Sequence, residues 1–414
     1  MLFLYRMLIN ILILVSPIII LYRILKKKES LTRFKEKFSY FSKKRGEGKV
    51  LWFHGSSVGE ILSIIPLLEK IEKNKSINKI LVTSSTLSSS KVLSNLKFKK
   101  TIHQFYPIDS NFITSKFLNY WRPSIAIFVE SEIWPNMIVN LKKKNIPLLL
   151  INARITKKTF SKWISIPKIS NFLFKKFDLC LPQNLETKKF LKKLGAKKIK
   201  LIGNLKFSEA QKNKNNTLNK SLIKILKSKK IWCAASTHQG EEIICAQAHK
   251  KINKNYKNLM TIIIPRHIQR TEQIMDDLKK FNLKIHLHSS NKKIQKNTDI
   301  YLVDTYGETN SFYKFCETVF LGGSMIKHGG QNPLEPLRFG CNILHGPNVS
   351  NFYEVYKLLD KEKLSHKVKH INDLVSSLNL SFKSKKNLNN NIKKIKQLGN
   401  NILSKTLIEL NHLI

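Results

Sequence analysis

The run His54-Gly55-Ser56-Ser57-Val58-Gly59-Glu60 sets one carboxylate among small residues. Small side chains let backbone approach a ligand closely, and a glutamate there can take a proton from an attacking hydroxyl. The same residue would also suit a helix's first turn, where the helix dipole favours negative charge. Glu130-Ser131-Glu132-Ile133-Trp134-Pro135-Asn136 places two carboxylates two residues apart. Such a pair is costly when buried, so it is either solvated or used. Pro135 suits the first turn of a following helix. Metal ligation by Glu-x-Glu would need further donors, and no histidine cluster supplies them. Gly203-Asn204-Leu205-Lys206 brings a lysine that can neutralise a phosphate, or that is one more solvated cation among many.

The second half of the chain offers a different chemistry. Pro265-Arg266-His267 presents a guanidinium, whose planar fork of donors fits a phosphate. Asp304-Thr305-Tyr306-Gly307-Glu308 places a glutamate at the start of a helical stretch. Gly322-Gly323-Ser324 and Gly329-Gly330-Gln331-Asn332-Pro333-Leu334-Glu335-Pro336 read as a glycine-rich loop entering a helix, an arrangement that can bind an anion through free amides. Glu335 could accept hydroxyls from a ribose. The loop is neither GxGxxG nor a P-loop. His238, His286 and His288 invite metal readings. The last two alternate along an expected strand with no evident Cys or carboxylate partner, and are read as surface residues. No DxD-like pair follows a strand, which disfavours a metal-dependent sugar-nucleotide site.

Elements must hold these groups in place. LWFH from Leu51, ILVTSS from Ile80, IAIFVE from Ile125, IPLLLINA from Ile146 and LCLPQ from Leu179 read as buried strands. Helical stretches lie between them, at 61–71 and 112–121. Continuous apolar strands alternating with helices predict a parallel sheet covered on both faces. A polar segment from Ser208 then reads as a linker. The alternation restarts with IWCAAST from Ile231, MTIIIPRH from Met260, IYLVD from Ile300, TVFLGGS from Thr318 and NILHG from Asn342. The expected organisation is therefore an anchor at 1–27, an α/β domain at 28–207, a linker at 208–227, a second α/β domain at 228–382 and a helical tail at 383–414. Two doubly wound domains would place ligands in the cleft between them, beyond the carboxyl ends of strands, and the motifs all follow strands.

Composition narrows the partners. The 414 residues carry a formal charge of +47. That excess could face nucleic acid, an anionic membrane or a phosphorylated substrate, or reflect lysine use spread over solvated faces. Lysines dispersed along the chain, outside any recognised module, argue against nucleic-acid binding. Five scattered cysteines without CxxC spacing fit neither a disulfide framework nor a zinc site. Residues 8–22 are apolar apart from Asn10, Ser16 and Pro17, and Arg23, Lys26, Lys27 and Lys28 follow directly. That basic exit argues against a cleaved signal peptide and puts the globular part on the cytoplasmic side of a membrane. The stretch is short for a full span, so it either crosses with snorkelling arginines or lies partly embedded.

Taken in order, WFHGSSVGE, VESEIWPN, INARIT, GNLKF, AASTHQGEE, IPRH, DTYGE and GGSMIKHGGQNPLEP closely resemble the motifs of the 3-deoxy-D-manno-octulosonic acid (Kdo) transferases of lipopolysaccharide synthesis, from the anchor to about residue 355. The resemblance implies a GT-B fold of two Rossmann-like domains plus an N-terminal membrane-anchor helix. It also implies inverting, metal- and cofactor-independent transfer from CMP-Kdo to a lipid A precursor at the inner membrane, beside anionic lipids. Carried onto this chain, Glu60 is the general base, and Glu130 and Lys206 stabilise the transition state. Pro265, Arg266, Tyr306, Gly307, Glu308, Asn332, Pro333, Leu334 and Glu335 take the CMP-binding positions. Gln331 stands where a histidine is expected. A GT-B transferase with another nucleotide-sugar donor is the alternative.

Overall fold

The computed structural model describes residues 2–209, 218–383 and 388–413. The chain divides into two units, Met1–Ala210 with Leu398–Ile414, and Gln211–Gln397. In the first, β1 (Val50–His54), β2 (Lys79–Ser84), β3 (Thr101–Phe105), β4 (Ile125–Val129), β5 (Leu148–Ala153) and β6 (Leu179–Pro182) form a parallel sheet in the order β3-β2-β1-β4-β5-β6. β1, β4 and β5 are buried along their whole length. This explains why their sequences run apolar rather than alternating: both faces are covered. Trp52, Phe117, Trp121, Phe128 and Phe174 fill the core on one side.

The helices of this unit include α1 (Leu2–Leu25), α2 (Val58–Ile71), α3 (Leu87–Ser94), α4 (Asn111–Trp121) and α5 (Pro135–Lys143). Ser57 caps α2, and Pro135 opens α5 at the position where a missing N–H costs nothing. α1 is the one helix among the described residues that is long and apolar enough to cross a membrane.

The second unit holds β7 (Lys230–Thr237), β8 (Leu259–Pro265), β9 (Ile285–Leu287), β10 (Ile300–Leu302), β11 (Thr318–Leu321), β12 (Asn342–His345) and β13 (Ser365–Lys367). Their order is β13-β12-β11-β7-β8-β10-β9, and every pairing is parallel. Trp232, Phe320, Leu302 and Leu378 lie in its core.

Two boundaries differ from the expected organisation. Of the segment expected as a linker, residues 210–217 lie outside the described residues, but Lys220–Ser228 is a helix that buries Leu222 and Leu226. The expected helical tail does hold a 24-residue helix, Leu388–Asn411, but it is not separate, since its residues from Leu398 onward belong to the first unit. There Ile402, Leu403, Thr406 and Leu410 are buried, and Lys200 pairs with Glu409 at 2.7 Å. Gly399 permits this return. A Cβ built on it would lie 2.4 Å from the Phe207 carbonyl oxygen, so the helix meets the Lys206 turn backbone to backbone.

Candidate active site

In an open parallel sheet the crevice opens where the strand order reverses direction. In the first unit that point lies between β1 and β4, and the two acidic motifs follow those two strands. In the second it lies between β7 and β11, and the glycine-rich loop follows β11. Each unit therefore carries one cluster of candidate groups.

Glu60 occupies the third position of α2 in a capping box with Ser57. Its Oε2 accepts from the Ser56 amide at 2.6 Å and its Oε1 from the Ser57 hydroxyl at 3.0 Å. Burial, then the charges of Glu132 and Glu130, raise its pKa to about 7 against these hydrogen bonds. A half-buried carboxylate held in place and poised near neutrality can act as a base at physiological pH. The helix-start placement expected for Glu60 is observed, and the same residue carries the raised proton affinity.

Glu132 belongs to a network that sequence spacing could not indicate. His54 Nε2 lies 2.9 Å from its Oε2, and Ser56 Oγ and Trp134 Nε1 each donate to that oxygen at 2.7 Å. Burial works against its charge, but the His54, Ser56 and Trp134 hydrogen bonds hold its pKa below the ordinary value. Glu132 thereby stays anionic, contributes to raising Glu60, and fixes Ser56, whose amide holds Glu60.

Glu130 directly follows β4 with φ of 60°, a left-handed conformation costly for a glutamate (of order 1–3 kcal/mol). The turn aims its carboxylate at Lys206, whose Nζ lies 2.6 Å from Oε1. Asn152, also left-handed, accepts from the Leu205 amide at 3.0 Å, and Asn204 accepts from the Lys206 amide at 3.0 Å. Backbone strain at two neighbouring strand ends is thus spent on holding one ion pair.

The second cluster is built around Glu241, which the sequence reading did not single out. Its two oxygens accept four backbone amides: His238 (2.9 Å), Gly323 (2.7 Å), Ser324 (3.1 Å) and Met325 (3.0 Å). This corrects the expected anion site, because the Gly323–Met325 amides are already taken by an internal carboxylate. The segment at 334–338 is also only a five-residue helix, with Asn332 Oδ1 accepting the Leu334 amide. Gly322 makes the arrangement possible, since a Cβ there would lie 2.4 Å from the Ser236 carbonyl oxygen.

The other expected donor-site residues lie beyond the carboxyl ends of β8, β10 and β11. Arg266 is exposed, with its amide bonded to the Thr237 carbonyl. Tyr306 is exposed and bonds Gln269 at 3.2 Å. Pro333 and Leu334 are buried, and Glu335 is exposed at the surface. Glu308 is tied back by Thr305 and by His288, whose Nε2 lies 2.9 Å from Oε2. His288 is therefore a half-buried, paired residue, which corrects its reading as a surface histidine without a carboxylate partner. His286, also half-buried, stacks on Tyr301.

His238 reports the local potential. Burial first, then His328, His267, Arg266 and Arg270, push its pKa down to about 4. Burial is the largest cause of that fall, and the nearby Arg266 guanidinium adds positive charge of the kind that suits a phosphate. Arg270 is held by Glu242 through two contacts at 3.1 and 3.3 Å. Gln331 Nε2 lies 3.3 Å from His238 Nε2. Among the described residues, no group of three or more His, Cys, Asp or Glu converges as a metal site.

A family model described as 3-deoxy-D-manno-octulosonic-acid transferase (kdotransferase) matches residues 32–209. A 3-deoxy-D-manno-octulosonic acid transferase of Rickettsia bellii is 33% identical over 361 residues, which cover 87% of this chain and 86% of the relative. One from Aquifex aeolicus is 30% identical, covering 82% and 87%. A solved structure of a putative UDP-N-acetylglucosamine 2-epimerase from Listeria monocytogenes superposes with a TM-score of 0.60 at 11% identity, covering 88% of this chain and 98% of that one. That likeness concerns the fold. The fold is of GT-B architecture, and the relatives make the chain a glycosyltransferase. The chain belongs to the 3-deoxy-D-manno-octulosonic acid transferase family.

Proposed function

We propose that this enzyme transfers Kdo from CMP-Kdo to a lipid A precursor such as lipid IVA, with inversion at the anomeric carbon and Glu60 as general base. The observation that carries the assignment is the state of Glu60: a carboxylate fixed by the Ser56 amide and Ser57 hydroxyl, with its pKa raised to about 7. In the reaction, the acceptor hydroxyl loses its proton to Glu60 as its oxygen forms the new bond to the anomeric carbon. The bond from that carbon to the CMP phosphate oxygen breaks, and CMP leaves with the electron pair. Lys206, paired with Glu130, supplies positive charge to the transition state, and the cationic surroundings of His238 with Arg266 hold the phosphate. Tyr306, Gly307, Glu308, Asn332 and Glu335 complete the CMP site, with Pro265, Pro333 and Leu334 shaping it.

The enzyme works attached to the inner membrane, with its globular part in the cytoplasm. α1 provides the apolar contact, and Lys26, Lys27 and Lys28 meet anionic headgroups. Glu60→Gln tests the assignment. Glutamine preserves a capping box, so the variant should fold and keep CMP affinity. Turnover, followed by mass spectrometry of the glycolipid product, should fall by ~10²–10⁴-fold. Near-wild-type turnover would refute the role of Glu60.

A further inference from the structure

α1 is apolar around its circumference but unevenly exposed. Ser16 and Ile20 are buried and Leu2, Tyr5, Ile9 and Ile13 half-buried, at intervals of three and four residues, which is one face of a helix. The opposite face is open: Phe3, Leu14 and Leu25 are 75%, 80% and 73% exposed. Both ends are tied to the first unit. Tyr5 Oη donates to Asp109 at 2.8 Å, and Arg6 bonds Asn136 at 2.9 Å and Asn111 at 3.3 Å. At the other end Arg23 bonds Glu29 at 3.2 Å, and Lys37 grips the same buried carboxylate.

A helix of 24 residues is roughly 36 Å long, enough to cross the hydrocarbon core. Crossing, however, would send the Tyr5–Arg6 end to the far side of the bilayer. Asp109, Asn111 and Asn136 could not follow, because they belong to the same folded unit as Glu29. Asp109 also accepts the Asn136 and Met137 amides at the start of α5, so the Tyr5 bond is rooted in the fold. Lipid on every side would further require stripping the covered face from its domain.

We infer that α1 does not span the bilayer but lies flat in the interface of an anionic phospholipid membrane, one face on its own domain and the other in lipid. The exposed Lys26, Lys27 and Lys28 then sit at headgroup level, where cations bind anionic phospholipid. Exposed Phe112 beside Asn111, and exposed Leu31 beyond Glu29, add apolar side chains near the two tie points. The inference rests on the membrane attachment proposed above and specifies its geometry.

Depth measurement tests it on the full-length protein. The native cysteines are all buried, so a single added thiol can be labelled selectively. Phe3→Cys, Leu14→Cys and Leu25→Cys, each carrying a small fluorophore, are bound to phosphatidylglycerol–phosphatidylethanolamine vesicles containing lipids spin-labelled at two depths. The flat helix predicts the same shallow depth at all three positions. Leu14 deepest, with the other two near opposite surfaces, would overturn the flat geometry and leave attachment standing. No quenching at any position would overturn both.

Discussion

Glu60 is pulled two ways. The amides and hydroxyl at the start of α2 favour its anion, while burial and the charges of Glu132 and Glu130 favour its protonated form; the balance falls at about 7. A base must be deprotonated to work, so kcat/KM should fall as pH drops below about 7. Replacing Glu132 by Gln removes the larger of the two repulsions and should move that acidic limb down by roughly one pH unit. An unmoved limb in a pH–rate profile would sever the link between the two carboxylates. In the other cluster, Glu241→Gln would set an amide N–H₂ against backbone donors that now meet a carboxylate. CMP affinity measured by calorimetry should weaken at least about tenfold, the scale of one or two lost charged hydrogen bonds. Unchanged affinity would mean that the loop holds its shape without Glu241. These residues were unequally legible in the sequence. Glu60 could be found because it follows an apolar strand within a run of small residues. The His54–Glu132 pair and the Glu241 bonds to Gly323, Ser324 and Met325 could not, because they join positions 78 and more than 80 residues apart. Nothing local in the sequence encodes such a meeting.

Among the elements, the central strands were plain because burial on both faces leaves an uninterrupted apolar run. β3 and β13 lie at sheet edges and escaped notice. In β3, polar residues are satisfied by distant partners: Gln104 accepts from Trp121 Nε1 at 3.1 Å, and His103 meets Arg33 at 3.0 Å. The helix Lys220–Ser228 has Leu222, Ile223, Ile225 and Leu226 at helical spacing, but it is only nine residues long and follows directly on a polar run. The C-terminal helix was legible as a helix, but its return to the first unit was not. Gly399 tests that return through the sign of an effect. In a free helix, Gly→Ala stabilises by ~0.5–1 kcal/mol. Here the new methyl would meet Phe207 backbone at 2.4 Å, so Gly399→Ala should instead destabilise by about 1–3 kcal/mol and depress turnover through the adjacent Lys206. A raised denaturation midpoint would show that the contact is not tight.

At the scale of the whole molecule, the two-domain α/β architecture could be read from the restart of strand–helix alternation. The charge was harder to interpret. The chain has 27 acidic residues against 74 Lys and Arg, and Glu29, Glu36, Asp109, Glu130, Glu132, Glu241 and Glu242 are buried. These scarce acids cap helices, hold loops and pair with cations inside the fold, so few carboxylates are left to intersperse the surface lysines. The crossing of the last helix into the first unit has a further consequence, in time. Residues 218–397 hold all seven strands of the second sheet, so that sheet can form before the segment from Leu398 onward is available. The first unit must wait for Gly399, Ile402 and Leu410 before the turn bearing Lys206 is backed. The unit that is translated first thus depends on the segment from Leu398 onward, and a nascent chain can form the second sheet before the Lys206 turn is backed.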